Sequence, residues 1–201
     1  MPAIRGPRNK LSRREGVDLF GNGGASLQRR LENPPGAHMK KPGRQESEYA
    51  KQLREKQKVK RMYGMREKQF RNFYVVASKT KGMSGVELLK MLERRLDNIL
   101  YRMGWVRTRL QARQIVVHGQ VLVDGQKVDR PSFLVKPGMT VSLTPVAQKI
   151  PSVADLLESP ASVPGWLERG PNATGRILRE PERAEMDAHI NETAIVEFYS
   201  R

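Results

Sequence analysis

The side chains able to do chemistry in this sequence are overwhelmingly cationic, and the chemistry they suit is the binding of phosphate. Arg107, Arg109 and Arg113 follow one another closely with Gln111 between them, and Arg95 and Lys127 lie to either side. Lys51, Arg54, Lys56, Lys58, Lys60 and Arg61 put six basic residues in eleven positions, with Arg66 just beyond. Arg5, Arg8, Lys10, Arg13 and Arg14 crowd the N-terminus. A guanidinium grips two phosphate oxygens in its planar fork and also stacks on a base. For any single lysine a solvated surface position is the simpler reading; together the clusters favour phosphate contact.

Other chemistry finds little support. His38, His118 and His189 are far apart, and none stands in a metal-ligand pattern. His118 follows Val116-Val117 at an expected helix end, where a cation complements the dipole. Glu180, Glu182, Glu185 and Asp187 crowd one segment, but no nucleophile, base and orienting group converge there, so no enzyme is expected. Asp97, among Arg94, Arg95 and Arg102, reads as an internal partner that orients an arginine. Gly21-Asn22-Gly23-Gly24 has no strand before it and no Gly-Lys-Ser/Thr after it, which argues against a phosphate-cradling loop. The absence of cysteine removes disulfides and cysteine-ligated metal, and suits a reducing compartment.

Charge is unevenly spread over the 201 residues and their net +16. Residues 150–201 carry 5 Lys+Arg against 9 Asp+Glu, whereas residues 1–149 carry 32 against 12. So positive a field draws polyanions, and by itself gives only non-specific affinity. The start MPAIRGPRNK lacks an apolar stretch, and no apolar run approaches the ~20 residues of a membrane span, so a cytoplasmic protein without a membrane partner is expected.

The elements that must position the arginines centre on residues 92–143. Leu92, Leu96, Ile99, Leu100 and Met103 fall on one helical face, and Gly104 stops that helix. Thr108 with Gln111 has the form of a capping box opening a second helix. Its inward stripe is Ala112, Ile115 and Val116, with Arg109 and Arg113 a turn apart elsewhere. Gly119 suits a left-handed helix end, and Asp124-Gly125 between β-branched runs predicts a hairpin. Two more helices are predicted from Ser47 to about Lys81, broken at Gly64, the second burying Phe70, Phe73, Tyr74 and Ala77. Ser84 with Glu87 reads as a further capping box. A short helix is expected from Ser152 through Leu157, then turns around Trp166-Leu167. Residues 190–199 read either as a strand, by alternation, or as a helix capped by Asn191. Residues 1–46 are poor in large apolar side chains and rich in Pro, Gly and Arg, so an extended basic arm ordered on its partner is expected.

A family resemblance rests on long motifs. Gln52-Leu-Arg-Glu-Lys-Gln-Lys58, Arg61, Tyr63-Gly64, Glu67-Lys-Gln-Phe-Arg71, Leu92-Glu93, Arg95-Leu-Asp-Asn98, Tyr101-Arg-Met-Gly104, Thr108-Arg109, Ala112-Arg-Gln114, Ile190-Asn-Glu192 and Ile195-Val-Glu-Phe-Tyr-Ser-Arg201 resemble the bacterial small-subunit ribosomal protein four family over nearly the whole chain. The resemblance implies an α+β fold in which an RNA-binding module, residues 92–177, is inserted into a helical domain, residues 47–91 completed by 178–201. It makes the tail a helix. It also implies direct binding of 16S rRNA at a multi-helix junction, nucleation of subunit-body assembly, and a contact with small-subunit ribosomal protein five that affects accuracy. Basic residues near the channel through which messenger RNA enters are implied too. Many relatives bind zinc through four cysteines in the arm; here Asn9 and Ser12 stand at the first pair's spacing, so no zinc and no other cofactor is expected.

Within that frame the expected RNA contacts are Arg5, Arg8, Lys10, Arg13 and Arg14 of the arm, and Lys56, Lys58, Arg61 and Arg66 of the helical domain. On the module they are Arg95, Arg107, Arg109, Gln111, Arg113 and Lys127. An RNA-modifying enzyme using the module for targeting would need a catalytic domain for which 201 residues leave no room. A general polybasic chaperone or membrane-surface binder fits the charge but not the folded module.

Overall fold

The structure, a computed structural model, describes residues 6–21, 23–36, 46–80 and 82–200. Its helices run in the order α1 (Arg8–Glu15), α2 (Ala25–Gln28), α3 (Glu48–Met62), α4 (Glu67–Lys79), α5 (Ser84–Glu93), α6 (Leu96–Arg102), α7 (Arg109–Val117), α8 (Pro145–Gln148), α9 (Pro151–Glu158) and α10 (Glu192–Tyr199). The strands are β1 (Val121–Val123), β2 (Gln126–Lys127), β3 (Thr140–Leu143), β4 (Leu167–Arg169) and β5 (Thr174–Ile177). The fold class is α+β. The chain forms two compact units, Met1–Gly85 with His189–Arg201, and Val86–Ala188.

The first unit is helical. Ser47 opens α3 by accepting a hydrogen bond from the Ala50 amide, and Gly64, at φ 61°, turns the chain toward α4. The tail is the helix α10, capped where the Asn191 side chain accepts from the Ala194 amide. A good cap and the Ile195–Tyr199 spacing prevail over the strand-like alternation. α10 lies on α3 through Gln52 Nε2 to Glu197 Oε2 at 2.8 Å and the Asn191 amide to Glu55 Oε1 at 2.8 Å. Tyr199 stacks on Tyr74 with ring centres 4.7 Å apart, and Phe198 meets Tyr49 at 5.6 Å.

The expected extended arm is corrected by α1 and α2. Leu19, Phe20 and Leu27 are buried, although the segment has few such residues. Local side-chain bonds supply what a larger core would. Buried Ser12 accepts from the Leu19 amide, and the Asp18 carboxylate accepts from the amides of Phe20, Gly21 and Gly23. The glycine cluster therefore turns its amides onto the chain's own carboxylate, and Gly16 ends α1 at φ 69°.

The second unit packs α6 and α7 on an antiparallel sheet of order β2-β1-β3-β5-β4. Asp124 and Gly125, both at positive φ, join β1 to β2, as the sequence predicts. Val121, Val123, Val141, Leu143 and Ile177 face inward, onto Leu96, Ile99, Leu100, Met103, Ala112, Ile115 and Val116. Trp105 and Trp166 are fully buried. The strands β4 and β5 replace the expected turns around Trp166-Leu167. β5 pairs with β3, some thirty residues away in sequence where local pattern is silent, and β4 adds to the outer edge of β5. The single helix expected over Leu92–Met103 is instead two, because the chain leaves helical form at Arg94–Arg95 and Arg95 bridges Leu134. At the head of α7 the Thr108 hydroxyl accepts from the Gln111 amide, but Gln111 Oε1 accepts from the Arg107 amide, one residue before the expected position. In α5 the Glu87 carboxylate accepts from Lys90 Nζ at 2.8 Å.

Glu67 ties the first unit together. Its carboxylate accepts from Lys56 Nζ at 2.7 Å, Lys60 Nζ at 2.9 Å and the Tyr199 hydroxyl at 2.9 Å. Burial would raise its pKa, but the hydrogen bonds from Lys56, Lys60 and Tyr199 outweigh that and hold it at about 2. A carboxylate depressed in the folded state stabilises above its ordinary value and loses that contribution as the pH falls through the folded one. Glu67→Gln should therefore cost on the order of 1 kcal/mol at pH 7, a modest figure because the group is half exposed. It should also flatten the loss of stability between pH 4.5 and about 2, read by urea unfolding across that range. An unchanged acid limb would contradict this role.

Candidate nucleic-acid interface

The expected contacts divide into exposed cations and cations already engaged. Arg8, Lys10 and Arg14 on α1, Arg66 at the head of α4, Arg107 before α7 and Lys127 on β2 are exposed. Arg5 lies outside the described residues. Arg13 turns inward, donating to the carbonyls of Asn33 at 2.9 Å and Pro34 at 3.2 Å.

Three of the four expected contacts around α3 and α4 serve the fold. Lys56 is 5% exposed, bonded to Glu67 and placed over the Phe198 ring at 4.4 Å. Lys58 bonds the His189 carbonyl at 2.8 Å and Glu55 at 2.7 Å. Arg61 pairs with Glu15, whose carboxylate is 1% exposed and also lies 3.5 Å from Arg54. Burial pushes the Glu15 carboxyl up, and Arg61 and Arg54 pull against it. A buried carboxylate of this kind must be paired, and helical spacing alone gives no hint of the partner.

On the module the arginines are drawn together around buried acceptors. Arg95 is 1% exposed, and its Nε and Nη2 grip Asp97 at 3.0 and 2.6 Å, so the sequence reading of Asp97 as an orienting partner holds. Arg113 Nη1 reaches the same carboxylate at 3.5 Å. Asn98 is the second hub. Its Nδ2 donates to the Glu93 carbonyl at 3.0 Å and to Glu93 Oε2 at 2.7 Å, while its Oδ1 accepts from Arg109 Nε at 2.7 Å. Glu93 in turn holds Arg102 in a two-point grip at 2.9 and 2.7 Å. Asp187 Oδ2 closes the ring, 3.2 Å from Nη2 of both Arg102 and Arg109. The Arg109 guanidinium lies over the Tyr101 ring at 4.4 Å.

Gln111 spans from the Arg107 amide to Ser152 Oγ at 2.8 Å, and so braces the head of α7. Lys127 runs across Gly119, where a Cβ would collide with its Cε. His118 is exposed at the end of α7. The acidic segment forms ion pairs, Glu180 with Arg94 at 2.6 Å and Glu185 with Arg179 at 2.7 Å.

Arg102, Glu93 and Asn98 were not among the expected site residues. Glu93, Asn98 and Arg102 are spaced by five and four, a signal hidden by the break at Arg94–Arg95. Asp187 sits 78 residues from Arg109 and has no local signal.

The two acceptors at Asn98 Nδ2 and the donor at its Oδ1 leave only one amide orientation. Asn98→Asp should cost about 2–4 kcal/mol, because it turns a carboxylate oxygen onto Glu93 in a buried site. Urea unfolding at pH 7 reads this loss, and a loss below that of an ordinary surface change would show that the ring does not hold.

Two descriptions match the chain in tandem: the ribosomal protein S4/S9 N-terminal domain over residues 3–93 and the S4 domain over residues 94–141. The small ribosomal subunit protein uS4 of Geobacillus kaustophilus is 46% identical over 202 residues, covering all of both chains. That of Marinobacter nauticus is 48% identical over 203 residues and 98% of each chain, and that of Variovorax paradoxus 45% over 207 residues and all of each. No helix among the described residues is long and apolar enough to cross a membrane. With likeness of this degree along its whole length, the chain belongs to the uS4 family of small ribosomal subunit proteins, which are structural, bind rRNA and are not enzymes.

Proposed function

We propose that the chain binds 16S rRNA at a multi-helix junction, using the α6–α7 face of the module together with the exposed cations of α1 and α4. One observation carries this reading: Arg95, Arg102, Arg109 and Arg113 are held in place by Glu93, Asp97 and Asn98 within the protein itself. A junction brings phosphates from several helices close together, and a rigid set of cations suits that shape. Groups fixed in advance lose less side-chain freedom on binding. In this reading Arg95 positions the others rather than touching RNA, and Lys56, Arg61 and Gln111 brace the fold. The contacts are then Arg8, Lys10, Arg14, Arg66, Arg107, Arg109, Arg113 and Lys127.

Family membership extends the proposal. The chain would nucleate assembly of the subunit body on the ribosome in the cytoplasm. It would touch small-subunit ribosomal protein five at an interface that affects accuracy, and place basic residues near the channel through which messenger RNA enters.

Hydroxyl-radical footprinting of 16S rRNA with the purified chain should show one compact protected junction, and protection spread over many duplexes would favour a general polybasic binder. Arg113→Ala should weaken junction binding and reduce the slope of log K against log salt by about one unit. An unchanged slope would remove Arg113 from the contacts.

A further inference from the structure

The ring that holds Arg102 and Arg109 is closed by a carboxylate differing in kind from the others. Glu93 is 1% exposed and grips Arg102 at two points, and Asn98 is equally buried. The Asp187 side chain is 28% exposed, against 15% and 14% for Arg102 and Arg109. It follows the 3-10 turn Arg183–Glu185 and stands in no helix or strand. One of its oxygens bridges both guanidiniums at 3.2 Å, as a phosphate oxygen does between two arginines.

From this geometry we propose that Arg102 and Arg109 form a phosphate site for RNA backbone and that Asp187 is its internal placeholder, displaced when RNA binds. The inference rests on the rRNA-binding reading above. If Asp187 withdraws, Arg102 keeps both bonds to Glu93, and Arg109 keeps Asn98 and the face of Tyr101. The two cations therefore stay in register for the incoming anion. Exchanging a carboxylate for a backbone phosphate replaces one negative charge by another, so the buried Glu93 carboxylate feels little change in field. Asp187 also lowers non-specific affinity, since a polyanion must compete with it for two of the module's cations.

The test compares Asp187→Asn with wild type for binding to a full-length 16S rRNA transcript, in the intact chain and at several salt concentrations. Asp187→Asn should tighten binding by about two- to fivefold, the scale of a partly exposed charge pair. Arg102→Ala should weaken it. Glu168→Gln, which removes an exposed acid elsewhere in the same unit, controls for net charge. If Asp187→Asn leaves affinity unchanged or lowers it, or if Glu168→Gln tightens binding equally, the placeholder is overturned. Thermal unfolding of each variant guards against misfolding; a destabilised Asp187→Asn that binds more weakly would make Asp187 a structural brace and also overturn it. Wild-type chain that fails to bind the transcript would refute the rRNA-binding reading instead, so the two failures are distinct.

Discussion

Everything on the α6–α7 face depends on the pairing of buried acceptors with arginine. Glu93 and Asn98 are each 1% exposed and Asp97 is 4% exposed, positions at which unpartnered polar or charged groups would be costly. Arg95, Arg102, Arg109 and Arg113 satisfy them, and each guanidinium is thereby fixed by two or more directional contacts or by a carboxylate shared with a neighbour. The same bonds that neutralise the interior set the geometry of the surface. A lysine could supply the charge at these positions but not the planar fork that Glu93 and Asp97 grip.

The first unit repeats this logic around different carboxylates. Glu67 gathers Lys56, Lys60 and Tyr199, while Glu15 gathers Arg61 and Arg54 and so fastens the end of α1 to α3. Much of the positive charge that composition assigns to a polyanion thus has a structural task. What remains exposed, such as Arg8, Lys10 and Arg14 on α1 and Arg66 before α4, is a smaller set than the sequence suggests.

Features set by local geometry were legible in the sequence. Asp124-Gly125 made its hairpin, Gly64, Gly104 and Gly119 adopted the positive φ their places demand, and Ser47, Thr108 and Asn191 capped their helices. The inward stripe of Ala112, Ile115 and Val116 was equally plain. Features that depend on distant partners were not. β5 exists through pairing with the distant β3 and carries β4 on its other edge, and Arg95 leaves the helix to meet Leu134 and Asp97. The small core of Leu19, Phe20 and Leu27 is rescued by side-chain bonds from Ser12 and Asp18 that composition does not weigh. For the candidate interface the residue types were readable, but exposure was not. A charged side chain looks the same in sequence whether it faces solvent or a buried carboxylate.

These guanidiniums are fixed by the protein's own acceptors before any nucleic acid arrives. Arginine Nε–H resonances of the free chain test this most directly, by NMR at near-neutral pH. Resolved, slowly exchanging signals for Arg95, Arg102 and Arg109, lost in an Asn98 variant for Arg109 alone or together with Arg102, are the predicted result. Averaged, rapidly exchanging signals for all three would contradict it.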